Sequence, residues 1–285
     1  PSSCTALMNC RNCLSTTVKK ARTFLTRKFI LTILCILLAG CASNQPVQED
    51  IEPTVEPGTY ACRMVDYYDY SKPVPWSDWA GDEYFDDTMM FGDSRLGTIR
   101  LLGTLPPANL HYIDSLTVAR FDITEYDPVY ELVDEEMRHK TLMEGARNAQ
   151  SGNLYFMLGI NELGSNADKI IAAYETVLNE IKELHPNASI YVILVYMPDH
   201  TSGLNENVVA GFANNLNEQL RQLCNRLKVY YIDMDEVLVG DTGRIKLELT
   251  RGDGVHFNRA GAELASDFLR MHVVWRDRYV KEICE

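Results

Sequence analysis

Three short stretches of this chain hold side chains able to do covalent chemistry. Phe91-Gly92-Asp93-Ser94 puts a serine just after an apolar run, with a glycine two places before it. Asp253-Gly254-Val255-His256 sets a carboxylate three residues ahead of an imidazole, and Gly159-Ile160-Asn161-Glu162 closes another apolar run with an amide. A serine hydroxyl attacks poorly until a base takes its proton. On a single turn, Asp253 can hold the Nδ1–H of His256 while Nε2 faces outward, which is the base-and-orienter pair such a serine requires. A strand-to-helix turn at Ser94 would also aim helix N-terminal N–H groups at the hydroxyl.

The three stretches can cooperate only if the fold brings them to one edge. After residue 82, short apolar runs alternate with amphipathic stretches, the pattern of a parallel sheet covered by helices. Strands are expected at 88–91, 110–113, 154–158, 190–195 and 229–232. Residues 167–183 carry Ile170, Ile171, Tyr174, Val177, Leu178 and Ile181 at helical spacing, residues 208–227 do likewise with Phe212, Leu216, Leu220 and Leu223, and a last helix is expected at 259–271. In open α/β sheets ligands lie beyond the carboxyl ends of the strands. Ser94 and Asn161 each follow a predicted strand, and His256 comes just before the last helix.

In this order and context the stretches resemble the SGNH (GDSL-type) hydrolase superfamily: Gly-Asp-Ser in its first block, Gly-x-Asn-Asp in its third and Asp-x-x-His in its fifth. The similarity runs over roughly residues 84 to 275. It implies an α/β fold, a three-layer α/β/α arrangement with a mainly parallel, flavodoxin-like sheet. It also implies ester hydrolysis through an acyl-serine intermediate, with no cofactor and no metal. Carried over position by position, Ser94 attacks the carbonyl, His256 is general base and then acid, and Asp253 orients it. The oxyanion would be held by the Ser94 backbone N–H, the Asn161 side chain and a backbone N–H from the second block. Two positions depart from the pattern. The second block normally offers a glycine, and its best match is Ser115 in Asp114-Ser115-Leu116-Thr117. Glu162 stands where the family often has aspartate, which alters a supporting hydrogen bond but not the named donors.

Other patterns carry less. Arg251-Gly252-Asp253 is an adhesion tripeptide whose aspartate already has a role, and Asn187-Ala188-Ser189 is a glycosylation sequon. The Gly-x-Ser-x-Gly elbow fails because Leu96 takes the place of the last glycine. No His-Glu-x-x-His is present, and the six histidines show no metal-ligand spacing.

Upstream, residues 29–40 are apolar apart from Thr32, are preceded by Arg27 and Lys28, and close on Leu38-Ala39-Gly40-Cys41. That is too short for a comfortable membrane span and reads as a secretory signal. Its ending resembles the bacterial lipobox, so residues 1–40 are expected to be a signal peptide and Cys41 to be lipidated. The chain would then sit in the bacterial cell envelope, anchored on the extracytoplasmic side. Prolines and acids make residues 41–82 a tether. Its later aromatic part, with Tyr60, Tyr67, Tyr68, Tyr70, Trp76 and Trp79, is expected to pack on the domain of residues 83–285, or to lend some rings to a sugar site.

The net charge is −13, but the first 40 residues hold six basic residues and no acids. The remainder has 21 basic against 40 acidic residues, a net of −19. Such a surface repels nucleic acid and anionic lipid head groups, and neutral substrates fit it better. Eight cysteines do not form a framework: beyond Cys41 only Cys62, Cys224 and Cys284 remain, and one disulfide, Cys62 with either other, is open. Residues 121–140 are rich in carboxylates, with Tyr126 and Tyr130 among them, which suits hydroxyl-rich sugars better than a fatty chain. The expected substrate is a short acyl, chiefly O-acetyl, ester of extracellular carbohydrate. The same site would serve an O-acyltransferase, a lipase or a thioesterase, and a glycan-binding lipoprotein with a dead site is the non-enzymatic alternative.

Overall fold

The computed structural model describes residues 62–106, 109–125 and 139–284. The signal peptide, Cys41, Tyr60 and most of the acidic stretch around Tyr126 and Tyr130 lie outside these residues. Along the described chain run β1 (Cys62–Asp66), α1 (Asp82–Asp86), β2 (Thr88–Gly92), α2 (Ser94–Leu102), β3 (Leu110–Tyr112) and α3 (Leu142–Arg147). Then follow β4 (Asn153–Met157), α4 (Ala167–Leu184), β5 (Ser189–Ile193), α5 (Glu206–Leu227) and β6 (Tyr230–Ile232). The short α6 (Asp235–Leu238), α7 (Arg259–Arg270) and β7 (Val280–Cys284) complete the order.

Five strands form a parallel sheet in the order β3-β2-β4-β5-β6. Every residue of β4 and β5 is buried, so both faces of the sheet are covered. That is why, after Asn153 and Ser189, these strands read as unbroken apolar and aromatic runs rather than as alternating ones. α2 packs on α7 and α7 on α6, while α3 packs on α4 and α4 on α5, giving the outer layers of an α/β/α arrangement. Counted among the parallel strands alone, the order is 2-1-3-4-5, the flavodoxin-like winding. Its switch point lies at β2, whose neighbours β3 and β4 are reached in opposite directions.

The expected helix at 167–183 is α4. Asn166 caps it by accepting from Lys169 N at 3.0 Å, and Ile170, Tyr174, Val177, Leu178 and Ile181 form its buried stripe. The strand expected at 190–195 stops at Ile193 for a specific reason. Both polar groups of the Val195 backbone are taken by the Asn217 side chain of α5, at 3.0 and 2.7 Å, in place of a ladder partner.

Sequence patterning did not foresee the antiparallel pair β1–β7, whose register sets the backbone of Cys62 opposite that of Cys284. Cys224 is buried and free. Between β1 and α1 the chain straps the outer edge of β6 and the end of α7: Val74 N donates to Tyr231 O at 2.9 Å and Ala80 N to Arg270 O at 2.9 Å. Tyr68 and Tyr70 are buried against Tyr230, while Trp76 packs on Phe268 and Trp79 lies under the Arg270 guanidinium. The two tryptophans thus sit at the far end of α7, about 18 Å along the helix from its start near His256. These rings pack on the domain, and none of the four belongs to the edge that carries Ser94.

Candidate active site

β2 ends at Gly92, where nothing larger fits. A Cβ would come within 2.8 Å of Leu96 Cβ and 2.9 Å of the Met157 carbonyl oxygen. Asp93 then leaves the sheet and caps α2, its carboxylate accepting from Arg95 N at 3.0 Å. Ser94 is the first residue of that helix, half-buried at the positive end of its dipole.

Across the same edge, the loop before α7 presents the other two groups. Asp253 Oδ1 accepts from the backbone N–H of Val255 and of His256, both at 2.9 Å, while Oδ2 lies 2.8 Å from His256 Nδ1. The Ser94 hydroxyl is 2.9 Å from His256 Nε2. A carboxylate can only accept, so the proton of the imidazole belongs on Nδ1, and Nε2 is left to accept from the serine. Burial works against the charge of Asp253, but the two N–H groups and the imidazole outweigh it and hold the carboxyl below its ordinary range. The loop is itself tied down at both ends. Asn258 caps α7 through Gly261 N at 3.0 Å and donates to Glu248 O and Thr250 O, and Asp199 N donates to Gly254 O at 2.9 Å. Gly254, at φ +71°, is in the left-handed region, with the Asp199–Thr201 turn where a Cβ would stand.

After β4, Asn161 is exposed and its Nδ2 donates to Leu116 O at 3.0 Å. That places the amide beside the loop that follows β3, where Ser115 is exposed with φ +58°, a backbone conformation that favours glycine. The resembling family's second block usually carries glycine at this point.

Sequence reasoning missed what lies underneath. Arg95 is fully buried and grips Asp93 through Nε at 2.9 Å and Nη2 at 2.8 Å, with its guanidinium 5.4 Å from the centre of the Tyr196 ring. Burial opposes the charge on Arg95, yet Asp93 prevails and keeps it firmly protonated. The Tyr196 hydroxyl donates to Val255 O, so the ion pair beneath Ser94 is linked through one ring to the histidine loop. Glu162 is also buried. Its only sequence signal was its place after Asn161. Among the described residues, no group of three or more His, Cys, Asp or Glu is set to hold a metal ion.

Residues 132–264 match the model of the GDSL-like lipase/acylhydrolase family. The matched stretch contains Asn161, Asp253 and His256 and begins after Ser94. No curated protein matches the sequence. Among solved structures the chain is similar to a GDSL-like lipase from Bacteroides thetaiotaomicron, at 12% identity and a TM-score of 0.47, over 64% of this chain and 85% of that one. It is also similar to a carbohydrate esterase family 3 protein from Talaromyces cellulolyticus, at 16% identity and a TM-score of 0.43, over 64% and 93% of the two chains. An acetyl xylan esterase gives 16% identity and a TM-score of 0.45, over 66% and 100%.

Proposed function

We propose, for a chain that carries a domain of the GDSL-like lipase/acylhydrolase family and is a serine ester hydrolase, that Ser94, His256 and Asp253 are its catalytic residues and that it removes short acyl groups, chiefly O-acetyl, from extracellular carbohydrate. The observation that carries the reading is the unbroken relay from Ser94 Oγ to His256 Nε2 at 2.9 Å and from Nδ1 to Asp253 at 2.8 Å.

Ser94 Oγ gives its proton to Nε2 as it adds to the acyl carbonyl carbon. Negative charge gathers on the carbonyl oxygen, where the Ser94 and Ser115 amides and the Asn161 side chain stabilise it. The tetrahedral adduct collapses as His256 returns the proton to the departing sugar oxygen, leaving acyl-Ser94. Water, deprotonated by the same imidazole, then releases the acid and restores the serine. Asp253 keeps its negative charge throughout and stabilises the imidazolium that forms at each step.

Support for a polymeric, hydroxyl-rich substrate comes from the openness of the site. The His256 and Asp253 side chains are 36% and 45% exposed, and Asn161 and Ser115 are exposed as well. Among the described residues this exposure favours a bulky chain that carries a small ester over an acyl chain that must thread a tunnel. The acidity of the chain beyond residue 40 favours neutral glycans over phosphate-bearing ones. The expected place of action is the outer side of a bacterial membrane, with Cys41 lipidated. An acetate-release screen over acetylated xylan, mannan, pectin and peptidoglycan tests the substrate: release from at least one is expected, and none from any would overturn the carbohydrate reading. Labelled palmitate should enter the full chain and be lost in Cys41→Ser; retention in that variant would remove the anchor.

A further inference from the structure

Charged side chains next to a nucleophile normally face solvent or substrate, but here they are sealed beneath it. Asp93 and Arg95 are fully buried and Glu162 nearly so. Arg95 commits Nε and Nη2 to Asp93, and its Nη1 is left buried without a partner, as are Oε2 of Glu162 and the hydroxyl of Tyr174 on α4. The other Glu162 oxygen is not idle. It accepts from the backbone N–H of Val118. The preceding residue, Asn161, donates to Leu116 O at 3.0 Å. Two consecutive residues of one helical turn (Ile160–Glu162) therefore hold the same loop at two backbone groups, directly after Ser115.

We propose that Glu162 is a positioning residue for ester hydrolysis: by clamping Val118 it fixes the loop that carries the Ser115 amide and the carbonyl that aims the Asn161 amide, and so sets the geometry of the oxyanion site. This rests on the esterase reading above. The loop has no strand or helix to define it between β3 and the short turn Val118–Arg120, and Ser115 holds a left-handed φ that its own side chain disfavours. Within the loop one turn bond, Leu116 N to Ile113 O at 3.2 Å, closes around Ser115, and from outside it the contacts to Asn161 and Glu162 meet the chain on both sides of Thr117.

The clamp requires an acceptor rather than a charge. Burial pushes the Glu162 carboxyl up to about 7, Asp93 adds to the rise, and the Val118 N–H and Arg95 oppose it. On the facing elements the charged or titratable groups are Asp93 and Arg95 of the α2 start and Tyr174 of α4, with the Cys224 thiol of α5 behind Tyr174. Whether or not the carboxyl holds its proton, its carbonyl-type oxygen still accepts from Val118. Glutamine supplies the same oxygen at the same reach, whereas alanine supplies none.

The test compares Glu162→Ala with Glu162→Gln in the full chain, reading kcat and KM per folded molecule and the exchange of the Val118 amide hydrogen. Glu162→Ala is expected to lower kcat about 10- to 100-fold with KM little moved, the loss that follows when a donor is misplaced by a fraction of an ångström to an ångström. Glu162→Gln should recover kcat to within about threefold of the parent. The Val118 amide should exchange faster in the alanine variant and slowly in the glutamine one. A purely structural role would lower the melting temperature of the alanine variant and leave kcat per folded molecule alone, and that result overturns the proposal. If Glu162→Ala does not fold, Glu162→Gln decides: kcat down tenfold or more with Val118 still protected also overturns it. Failure of the parent chain to react with a fluorophosphonate probe would overturn the esterase reading and this role with it, an outcome distinct from a reactive parent whose variants match it.

Discussion

At the carboxyl end of the sheet the strands run out into turns that keep polar groups within reach of solvent, whereas at the amino end they run into rings. Ser94, Asn161 and the Asp253–His256 loop belong to the first end, and each is held by hydrogen bonds from its own turn or the next. At the second end Tyr155 and Tyr191 stack with centroids 4.2 Å apart. The Tyr84 hydroxyl meets both of theirs, at 3.2 and 3.1 Å, and Val274 N donates to the Tyr191 hydroxyl at 3.1 Å. Burial, above all, drives the Tyr84 and Tyr155 phenols far above their ordinary range, so these hydroxyls serve as neutral hydrogen-bonding groups. One end spends its polar atoms on an arrangement open to a ligand, the other on closing the core. Chemistry and stability should therefore separate under mutation.

The widest separation is expected at Ser94. Replacing it with alanine should lower kcat by about 10⁴ or more while leaving the melting temperature near that of the parent. Fluorophosphonate labelling should vanish with it. Persistent labelling would move the nucleophile elsewhere. Next comes Asn161→Ala, with kcat down about 10²–10³ and KM little changed, the usual loss for one oxyanion donor. A change confined to KM would make Asn161 a substrate-binding residue. The amino end should behave in the opposite way: Tyr191→Phe takes from Val274 N its partner and from the Tyr84 hydroxyl one of three, and should cost about 1–2 kcal/mol of stability. Its kcat should stay within about twofold, and a larger fall measured on folded protein would show that the two ends are coupled.

The groups proposed to react were legible because each belongs to a local signal. Asp253 and His256 are three residues apart, so one turn is enough to pair them, and Ser94 and Asn161 each follow a short apolar run. The helices at 167–183 and 208–227 were legible for a similar reason, since a buried stripe repeats with the helical period wherever the partner lies. The β1–β7 pair was not, because two five-residue strands more than two hundred positions apart leave no pattern that either one carries alone. The strap from Tyr67 to Ala80 was legible in part: its aromatic content pointed to packing on the domain, but not to which elements it would cover.

From its sequence alone this chain determined the parallel α/β core, the order of its blocks and the residue types able to form a triad. Tertiary structure alone decided which charges are buried. Arg95 and Glu162 flank the site residues and would ordinarily be assigned to solvent, because such side chains are almost never fully buried unless paired. Asp93 lies only two residues from Arg95, but nothing local says that the pair is sealed in the core, and the Val118 amide meets Glu162 only once β4 and the loop after β3 share an edge. The pairing of Ser94 with His256 was decided in the same way. Their 162-residue separation is closed by the sheet and by the Tyr196 link beneath it, and no spacing in the sequence encodes that distance.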